Sequence, residues 1–177
     1  EVVEEVILGG ATMVQLREKD KTPDEILASA REIAPICKKY GVPFIMNDSI
    51  ELARAAGADG VHLGQSDVPG DNVRELAGDL ILGLSANTVE SAKRAQALGA
   101  DYLGVGAVFG TTTKHDARHL SPKALREITS AVDVPVVAIG GISADNILQL
   151  TGCGMQGAAG VSALFAQEDP RLAARDL

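Results

Sequence analysis

Short apolar stretches recur along the chain, and glycine or polar residues bound each of them. They lie at 12–17, 43–48, 60–64, 80–85, 102–107, 134–140 and 157–162. Most are nearly continuous rather than alternating, which is typical of strands whose two faces are both covered. Patterns typical of helices separate them. Alternation of strand and helix predicts a parallel sheet with helices packed against it.

Several of the intervening helices have recognisable starts. In the segment 22–25, threonine, proline and glutamate occupy the N-cap, N1 and N3 positions of a capping box. Ser121 followed by Pro122 predicts a second helix start, and Ser143 predicts a third.

An internal repeat connects three of the helix–strand junctions. The segment "AAGADGVHLG" (55–64) resembles "ALGADYLGVG" (97–106), and "GCGMQGAAGVS" (152–162) is a weaker third copy. Each copy contains a glycine that ends a helix, a short polar turn and then a strand. We interpret most of these glycines as helix ends and points of close packing.

Seven predicted strands alternating with helices are typical of an α/β fold that closes as a (β/α)8 TIM barrel. The first ten residues have the pattern of a helix that ends at Gly9 and Gly10, with no strand before it. Residues 168–177 have the pattern of a shortened last helix. We therefore predict a single TIM-barrel domain over residues 1–177 that lacks its first strand and the end of its last helix. Unpaired strand edges would make such a domain marginally stable or homo-oligomeric.

The composition argues against several classes of partner. Lys and Arg number 16 and Asp and Glu number 24, so the net charge is −8. An acidic surface disfavours nucleic acid and anionic membranes as partners. No stretch resembles a signal peptide or a membrane span. The two cysteines, Cys37 and Cys153, form no CxxC motif, and we expect reduced thiols in a cytoplasmic protein.

Charged residues follow the predicted strands, and this is where the active site of a parallel barrel lies. The segment "MVQLREKD" (13–20) runs from an apolar strand directly into four charged residues. It contributes Arg17 and Lys19, and the segment after the strand at 102–107 contributes Lys114. In an acidic chain, three cations at strand ends predict a site for a polyanion such as a diphosphate.

Two aspartates follow neighbouring predicted strands. Asp48 comes after the second apolar stretch and Asp67 after the third. Two carboxylates beside phosphate oxygens would suit Mg²⁺, which takes one or two carboxylates together with phosphates and waters. The alternatives are a helix cap at Asp48 with a turn residue at Asp67, or an acid–base pair.

Small residues follow the last two predicted strands, in "AIGGIS" (138–143) and "GVSALF" (160–165). Loops at this position of a barrel often bind phosphate through backbone N–H groups. Gly141 would permit a close backbone approach, and Val161 and Ser162 would supply further amides. His62 lies within a predicted strand, where we expect a structural hydrogen bond. No HExxH, GxSxG or P-loop motif is present.

Taken in order, the motifs resemble the thiamine phosphate synthase family over nearly the whole chain. The segments are "VQLREKD", "MNDSIELARAAGADGVHLGQSD", "GLSANT", "GADYLGVGAVFGTTTKHDA", "VPVVAIGGISADN" and "GVSALF". The resemblance implies that hydroxymethylpyrimidine diphosphate is joined to a thiazole phosphate with release of diphosphate. It also implies Mg²⁺ and a dissociative mechanism, in which a pyrimidine-methyl cation forms before the thiazole nitrogen captures it.

The resemblance also assigns roles to particular residues. The pyrimidine diphosphate site comprises Gln15, Leu16, Arg17, Glu18, Lys19, Asn47, Ser85 and Lys114. The thiazole phosphate site comprises Thr111, Thr112, Thr113, Gly141, Val161 and Ser162. Asp48 and Asp67 correspond to the magnesium ligands. The residues expected to act in catalysis are Arg17, Lys19, Ser85 and Lys114.

The chain departs from the family pattern at two places. Gly110 stands where the family usually has proline, and "GCGMQGAAGVS" replaces a strand entry of the "GADGVAVVS" type. The alternatives are a thiazole tautomerase of the same fold, or an inactive truncated copy that binds phosphate. Asp67 and the "TTTK" segment at 111–114 argue against the tautomerase, which needs no diphosphate–metal site.

Overall fold

The computed structural model of the protein describes residues 2–110 and 119–177. Within them, seven strands form one sheet in chain order, and every neighbouring pair is parallel. The strands are β1 (Val14–Leu16), β2 (Phe44–Asn47), β3 (Gly60–Leu63), β4 (Ile81–Ala86), β5 (Tyr102–Gly106), β6 (Val136–Ile139) and β7 (Gly157–Ala159). All seven predicted strands are confirmed, with bounds that are mostly narrower than the apolar stretches.

Helices flank the sheet. They are α1 (Val2–Leu8), α2 (Pro23–Tyr40), α3 (Ile50–Ala55), α4 (Val73–Ala77), α5 (Val89–Ala97), α6 (Pro122–Thr129), α7 (Ser162–Phe165) and α8 (Pro170–Asp176), with a 3₁₀ helix at Ile147–Leu150. Their apolar side chains and those of the strands form one buried cluster. No helix of the described residues has the length and apolar composition needed to cross a membrane.

Two of the three predicted helix starts are confirmed. The Thr22 hydroxyl accepts a bond from the N–H of Glu25 at 3.3 Å, and the Glu25 carboxylate accepts one from the N–H of Thr22 at 2.8 Å. Ser121 caps α6 through its hydroxyl. The prediction for Ser143 is wrong, because its own N–H donates to the Asn146 side chain at 2.9 Å. That bond closes a local turn, and only a 3₁₀ helix follows it.

The internal repeat corresponds to one hydrogen-bonding device used three times. Asp59, Asp101 and Gln156 each precede an odd-numbered strand, and each side chain accepts a backbone N–H at the start of the preceding even-numbered strand. The distances are 2.8 Å at β2, 2.7 Å at β4 and 2.7 Å at β6. The third copy therefore departs from the repeat in sequence but keeps the bond, with an amide oxygen in place of a carboxylate.

The sheet is curled and its strand order runs from β1 to β7, with no pairing of these two edges among the described residues. The helical layer, in contrast, connects the two ends of the chain. The helix α1 packs against α8, Arg171 forms a 2.8 Å ion pair with Glu5, and a Cβ at Gly9 would lie 2.6 Å from the Cβ of Ala174. The architecture is TIM-barrel-like.

The hydrogen bond from the Val136 N–H of β6 to the Gln156 side chain leads to a testable prediction. Gln156→Ala leaves a partly buried N–H of β6 without its acceptor, which should lower the free energy of unfolding by about 1–2 kcal/mol in urea denaturation. Gln156→Asp introduces the residue type of the other two copies and should retain most of the stability. Gln149→Ala, at an exposed position of the 3₁₀ helix, is the control. Equal unfolding midpoints for Gln156→Ala and Gln149→Ala would contradict the role of this bond.

Candidate active site

The carboxyl ends of the parallel strands bring most of the predicted site residues to one edge of the sheet. Arg17 follows β1, Asn47 ends β2 and Asp48 comes directly after it. Asp67 follows β3 after a short turn, and Ser85 lies near the end of β4. These strands are neighbours in the sheet, so residues far apart in sequence share one face of the domain.

Asp48 holds an unusual backbone conformation at the end of β2. Its φ of 68° is the one positive value for a non-glycine residue in the described chain. This left-handed region is accessible to aspartate and asparagine at some cost in energy. The N–H of Asp48 donates to the carbonyl of His62 at 2.8 Å, which continues the pairing of β2 with β3. Strained residues that the surrounding structure retains are common at functional sites.

Asp67 approaches Asp48 from the neighbouring strand, and its carboxylate is close enough to raise the pKa of Asp48. The backbone N–H of Asp67 closes a turn onto the carbonyl of Gly64 at 2.9 Å. A Cβ at Gly64 would lie only 2.6 Å from the Asp67 carboxylate. Glycine at this position therefore leaves room for the carboxylate.

The two acids and two cations lie within electrostatic range of one another. Burial raises the pKa of Asp48 above its ordinary value of 3.8, and the Asp67 carboxylate raises it further. Lys19 and Arg17 lower the same pKa but do not cancel the increase. A cation bound between the carboxylates would relieve their repulsion, so the oxygen donors suit Mg²⁺.

The described residues contain no group of three or more His, Cys, Asp or Glu side chains placed to hold a metal ion. A pair of carboxylates is nevertheless what Mg²⁺ uses when phosphate oxygens and waters complete its shell. The donor set therefore fits a cation that binds together with a diphosphate.

A buried hydrogen-bonded cluster lies inside the curl of the sheet. The Nε2 of His62 is 2.8 Å from the Ser85 hydroxyl, and its Nδ1 is 3.0 Å from the Tyr102 hydroxyl. The predicted structural hydrogen bond of His62 is thus confirmed, and it connects to a predicted site residue. Burial raises the pKa of Tyr102 to about 12, while the nearby Gln15 side chain of β1 lowers it.

The sequence analysis did not identify Tyr102, although Gly83 of β4 and Gly104 of β5 are signals of its position. A Cβ at Gly83 would collide with the Tyr102 ring and would lie 2.6 Å from Nδ1 of His62. A Cβ at Gly104 would lie 2.8 Å from Cε1 of His62. The glycines of "LGL" and "YLGVG" therefore provide the space for two rings.

Three further predicted residues have clear positions. The side chain of Leu16 is buried in the core, so only its backbone is available to a ligand. Glu18 forms a 3.1 Å ion pair with Lys21, so its carboxylate already has a cationic partner. Asn47 is partly buried and its carbonyl accepts the N–H of Ser49 at 3.0 Å.

The loops after β6 and β7 are neighbours because their strands pair. Gly141 has a φ of 64°, and a Cβ there would lie 3.0 Å from the carbonyl oxygen of Phe109. This glycine is thus required by the contact of two loops, independently of any phosphate. Val161 and Ser162 are exposed, and Ser162 begins α7.

The predicted residues Thr111, Thr112, Thr113 and Lys114 lie outside the described residues, and their roles stay predictions. The last described position before them is Gly110, with a φ of 74°. Proline is restricted to φ near −65° and could not adopt this conformation. Gly110 therefore has a backbone conformation that a proline at this position could not adopt.

Comparison with known proteins gives the family. A sequence model described as thiamine monophosphate synthase matches residues 1–164. The chain belongs to the thiamine monophosphate synthase family. The expected resemblance is confirmed.

Relatives in the thiamine monophosphate synthase family match the chain along its length. A thiamine-phosphate synthase of Ruminiclostridium cellulolyticum is 50% identical, across 100% of this chain and 85% of its own length. One from Methanobrevibacter smithii is 46% identical, across 99% and 85%. The solved thiamine phosphate pyrophosphorylase of Pyrococcus furiosus has a TM-score of 0.91 and 39% identity, covering 99% of this chain and 85% of that chain.

The left-handed backbone of Asp48 and its half-buried carboxyl predict a pH-dependent gain in stability when its charge is removed. A raised folded-state pKa means that ionising Asp48 lowers stability as pH rises through that pKa. Asp48→Asn tolerates the same left-handed backbone and carries no charge, so metal-free Asp48→Asn should be more stable than the wild type at pH 7.

The difference should shrink as the pH falls from the raised folded-state pKa toward the ordinary aspartate value of 3.8, below which the carboxyl is protonated in both the folded and the unfolded chain. Urea denaturation of both proteins over this pH range measures it. Asp145→Asn, at an exposed position, should show no such trend. A less stable Asp48→Asn at pH 7 would contradict the repulsion between the two carboxylates.

Proposed function

We propose that this chain joins hydroxymethylpyrimidine diphosphate to a thiazole phosphate, releasing diphosphate and forming thiamine phosphate. The observation that carries the proposal is the Asp48–Asp67 pair beside Arg17 and Lys19 at one edge of the sheet. A carboxylate pair alone would repel a diphosphate, whereas a carboxylate pair with a bound cation and two flanking basic residues would hold it. The names of the relatives support the same reaction.

The chemistry follows from where charge develops. The bond between the pyrimidine methylene carbon and the diphosphate oxygen breaks first, and its electron pair leaves with the diphosphate. The thiazole nitrogen then donates its lone pair to the methylene cation, forming the carbon–nitrogen bond. Charge on the leaving group grows in the transition state, so Arg17 and Lys19 stabilise that state more than the bound substrate. Lys114 would act in the same way.

Mg²⁺ held by Asp48 and Asp67 would neutralise charge on the diphosphate. Ser85 lies deeper, against His62, and suits the pyrimidine ring rather than the diphosphate. No proton has to leave a carbon atom in this scheme, so the site needs no general base. The loops at Gly141 and at 161–162, with Thr111, Thr112 and Thr113, would bind the thiazole phosphate.

The tautomerase alternative is disfavoured by the acid pair. A thiazole tautomerase binds no diphosphate, and it would have no use for two carboxylates held together against their repulsion. The inactive-copy alternative predicts an intact phosphate site without joining activity. Activity of the purified chain separates it from the proposal.

Removing one carboxylate tests the metal assignment. Asp67→Ala should lower turnover at least about 100-fold and raise the Mg²⁺ concentration needed, because loss of one preorganised electrostatic group costs about 2.7–4 kcal/mol. Initial rates across a Mg²⁺ titration measure both effects. Asp71→Ala removes a carboxylate from the same long loop, where it pairs with Arg94 on the surface at 3.3 Å, and should be active. Near-normal activity of Asp67→Ala at low Mg²⁺ would overturn the assignment.

We further propose that residues 1–177 form a single domain, a TIM barrel from which one strand and the end of the last helix are absent. The unpaired edges of β1 and β7, beside a helical layer in which α1 and α8 already meet, support this proposal. The relatives extend beyond the matched region, which is 85% of their length.

Supplying a strand tests this architecture. A strand of five or six residues buries about three apolar side chains worth about 1.5–3 kcal/mol each. A chain extended upstream by a matching segment should therefore gain about 5–9 kcal/mol in unfolding free energy and lose any self-association seen by ultracentrifugation. Equal melting temperature, activity and monomer content for both chains would show that the sheet needs no eighth strand.

Both cysteines are free and buried, which supports a reducing, cytoplasmic location. The proposed partners are the two small-molecule substrates.

A further inference from the structure

The loop after β6 is tied together by the side chain of Asn146. Its Nδ2 donates to the carbonyl of Gly141 at 2.8 Å, and its Oδ1 accepts the N–H of Ser143 at 2.9 Å. The backbone N–H of Asn146 also donates to the Ser143 carbonyl at 3.1 Å, which holds the side chain in place. One amide group therefore binds both ends of the segment 141–143.

The bond to the Gly141 carbonyl fixes the direction of the N–H group that follows it. This carbonyl and the N–H of Ile142 belong to the same peptide unit, which is planar and trans. In a trans peptide the two groups point to opposite sides. Because Asn146 holds the carbonyl on its own side, the N–H of Ile142 points away from Asn146.

The preceding peptide unit is held in a similar way from the neighbouring loop. The carbonyl of Gly140 accepts the N–H of Phe109 at 3.0 Å. The N–H of Gly141 belongs to this peptide unit, so it points away from Phe109. Two successive peptide units thus have their carbonyls bound by the protein and their N–H groups turned to the other side.

These two N–H groups are available to a ligand. Neither the N–H of Gly141 nor that of Ile142 donates a hydrogen bond within the described residues. Ser143 differs, because its N–H already donates to Asn146. Successive backbone N–H groups beside a left-handed residue form concave sites for anions, and Gly141 is such a residue, with a φ of 64°.

The loop is anchored so that its N–H groups keep this arrangement. Ile142 is 3% exposed and belongs to the hydrophobic core. A buried N–H group that has no acceptor costs free energy, and an anion bound at the loop would remove that cost. The bonds from Asn146 therefore maintain an arrangement that is favourable only when a ligand binds.

We propose that Asn146 is a positioning residue for the thiazole phosphate, which holds the segment 141–143 so that the N–H groups of Gly141 and Ile142 bind the phosphate. This inference rests on the proposed function, which gives the phosphate of the thiazole to this loop. A loop that is ordered before binding loses less conformational entropy when the ligand binds. Asn146 acts in this way on the phosphate group and not on the thiazole ring or the pyrimidine diphosphate.

A comparison of two thiazoles isolates the effect on the phosphate. The ratio of the dissociation constants of hydroxyethylthiazole and hydroxyethylthiazole phosphate, from equilibrium binding, measures the preference for the phosphate. Asn146→Ala removes both side-chain bonds to the loop, so this ratio should fall at least about tenfold. The affinity for the unphosphorylated thiazole should stay the same.

Gln149→Ala is the matched control, because it removes an exposed amide from the 3₁₀ helix that follows Asn146. It should leave the ratio of dissociation constants unchanged. The KM for the pyrimidine diphosphate should be the same in the wild type and both variants. A general loosening of the domain would instead weaken the binding of both substrates.

Asn146→Asp provides the test if Asn146→Ala does not fold. Its carboxylate still accepts the N–H of Ser143 but cannot donate to the carbonyl of Gly141, so the ratio should again fall. The measurement is made in about 1 M salt, where the Debye length is only about 3 Å and repulsion between the carboxylate and the phosphate is screened.

Three results would overturn the proposal. They are an unchanged ratio in the Asn146 variants, an equal loss of affinity for the two thiazoles, and a wild type that binds both thiazoles equally well. The failure of the proposed function is a separate result. A chain that prefers the phosphorylated thiazole but forms no thiamine phosphate would contradict that function, while the binding ratio would still test the role of Asn146.

Discussion

The parallel register of the sheet is the constraint on which the candidate site depends. At the entry edge, side-chain acceptors at Asp59, Asp101 and Gln156 each bind the first part of a neighbouring strand, 2.7–2.8 Å from a backbone N–H. At the opposite edge, the same register places Asp48 beside Asp67. A strand shifted by one residue would turn these carboxylates to the other face of the sheet. The pairing of the strands at their amino ends therefore determines which side chains meet at their carboxyl ends.

The site uses arrangements that oppose stability. Asp48 occupies a left-handed backbone conformation and lies beside a second carboxylate, which raises its pKa. His62 and Tyr102 place polar atoms in a buried interior, and Gly83 and Gly104 give up side-chain packing to make room for them. Such features persist where the surrounding structure determines them strongly, as it does between strands paired on both sides.

Particular residues show how far sequence patterns extend. The capping box at 22–25 was predictable because its partners are three residues apart and both bonds are local. Ser143 has the same residue type at a similar position, yet Asn146 three residues later takes over its N–H. Gln156 stands where the other two copies of the repeat have aspartate, yet its amide oxygen accepts the same backbone hydrogen bond. Local rules fail where a competing side chain is near, or where two chemical groups are interchangeable.

The sequence by itself determined the alternation of strands and helices, the acidic charge and the polar residues at the strand ends, because periodicity and residue type are properties of neighbouring positions. Its motifs also indicated the family. Only the tertiary structure decided that Asp48 contacts Asp67 and that Tyr102 meets His62, 40 residues away. It also decided that the glycines of β4 and β5 provide room for two rings. These facts depend on which side chains share a face of the curled sheet, and that follows from strand register and curvature rather than from any local pattern.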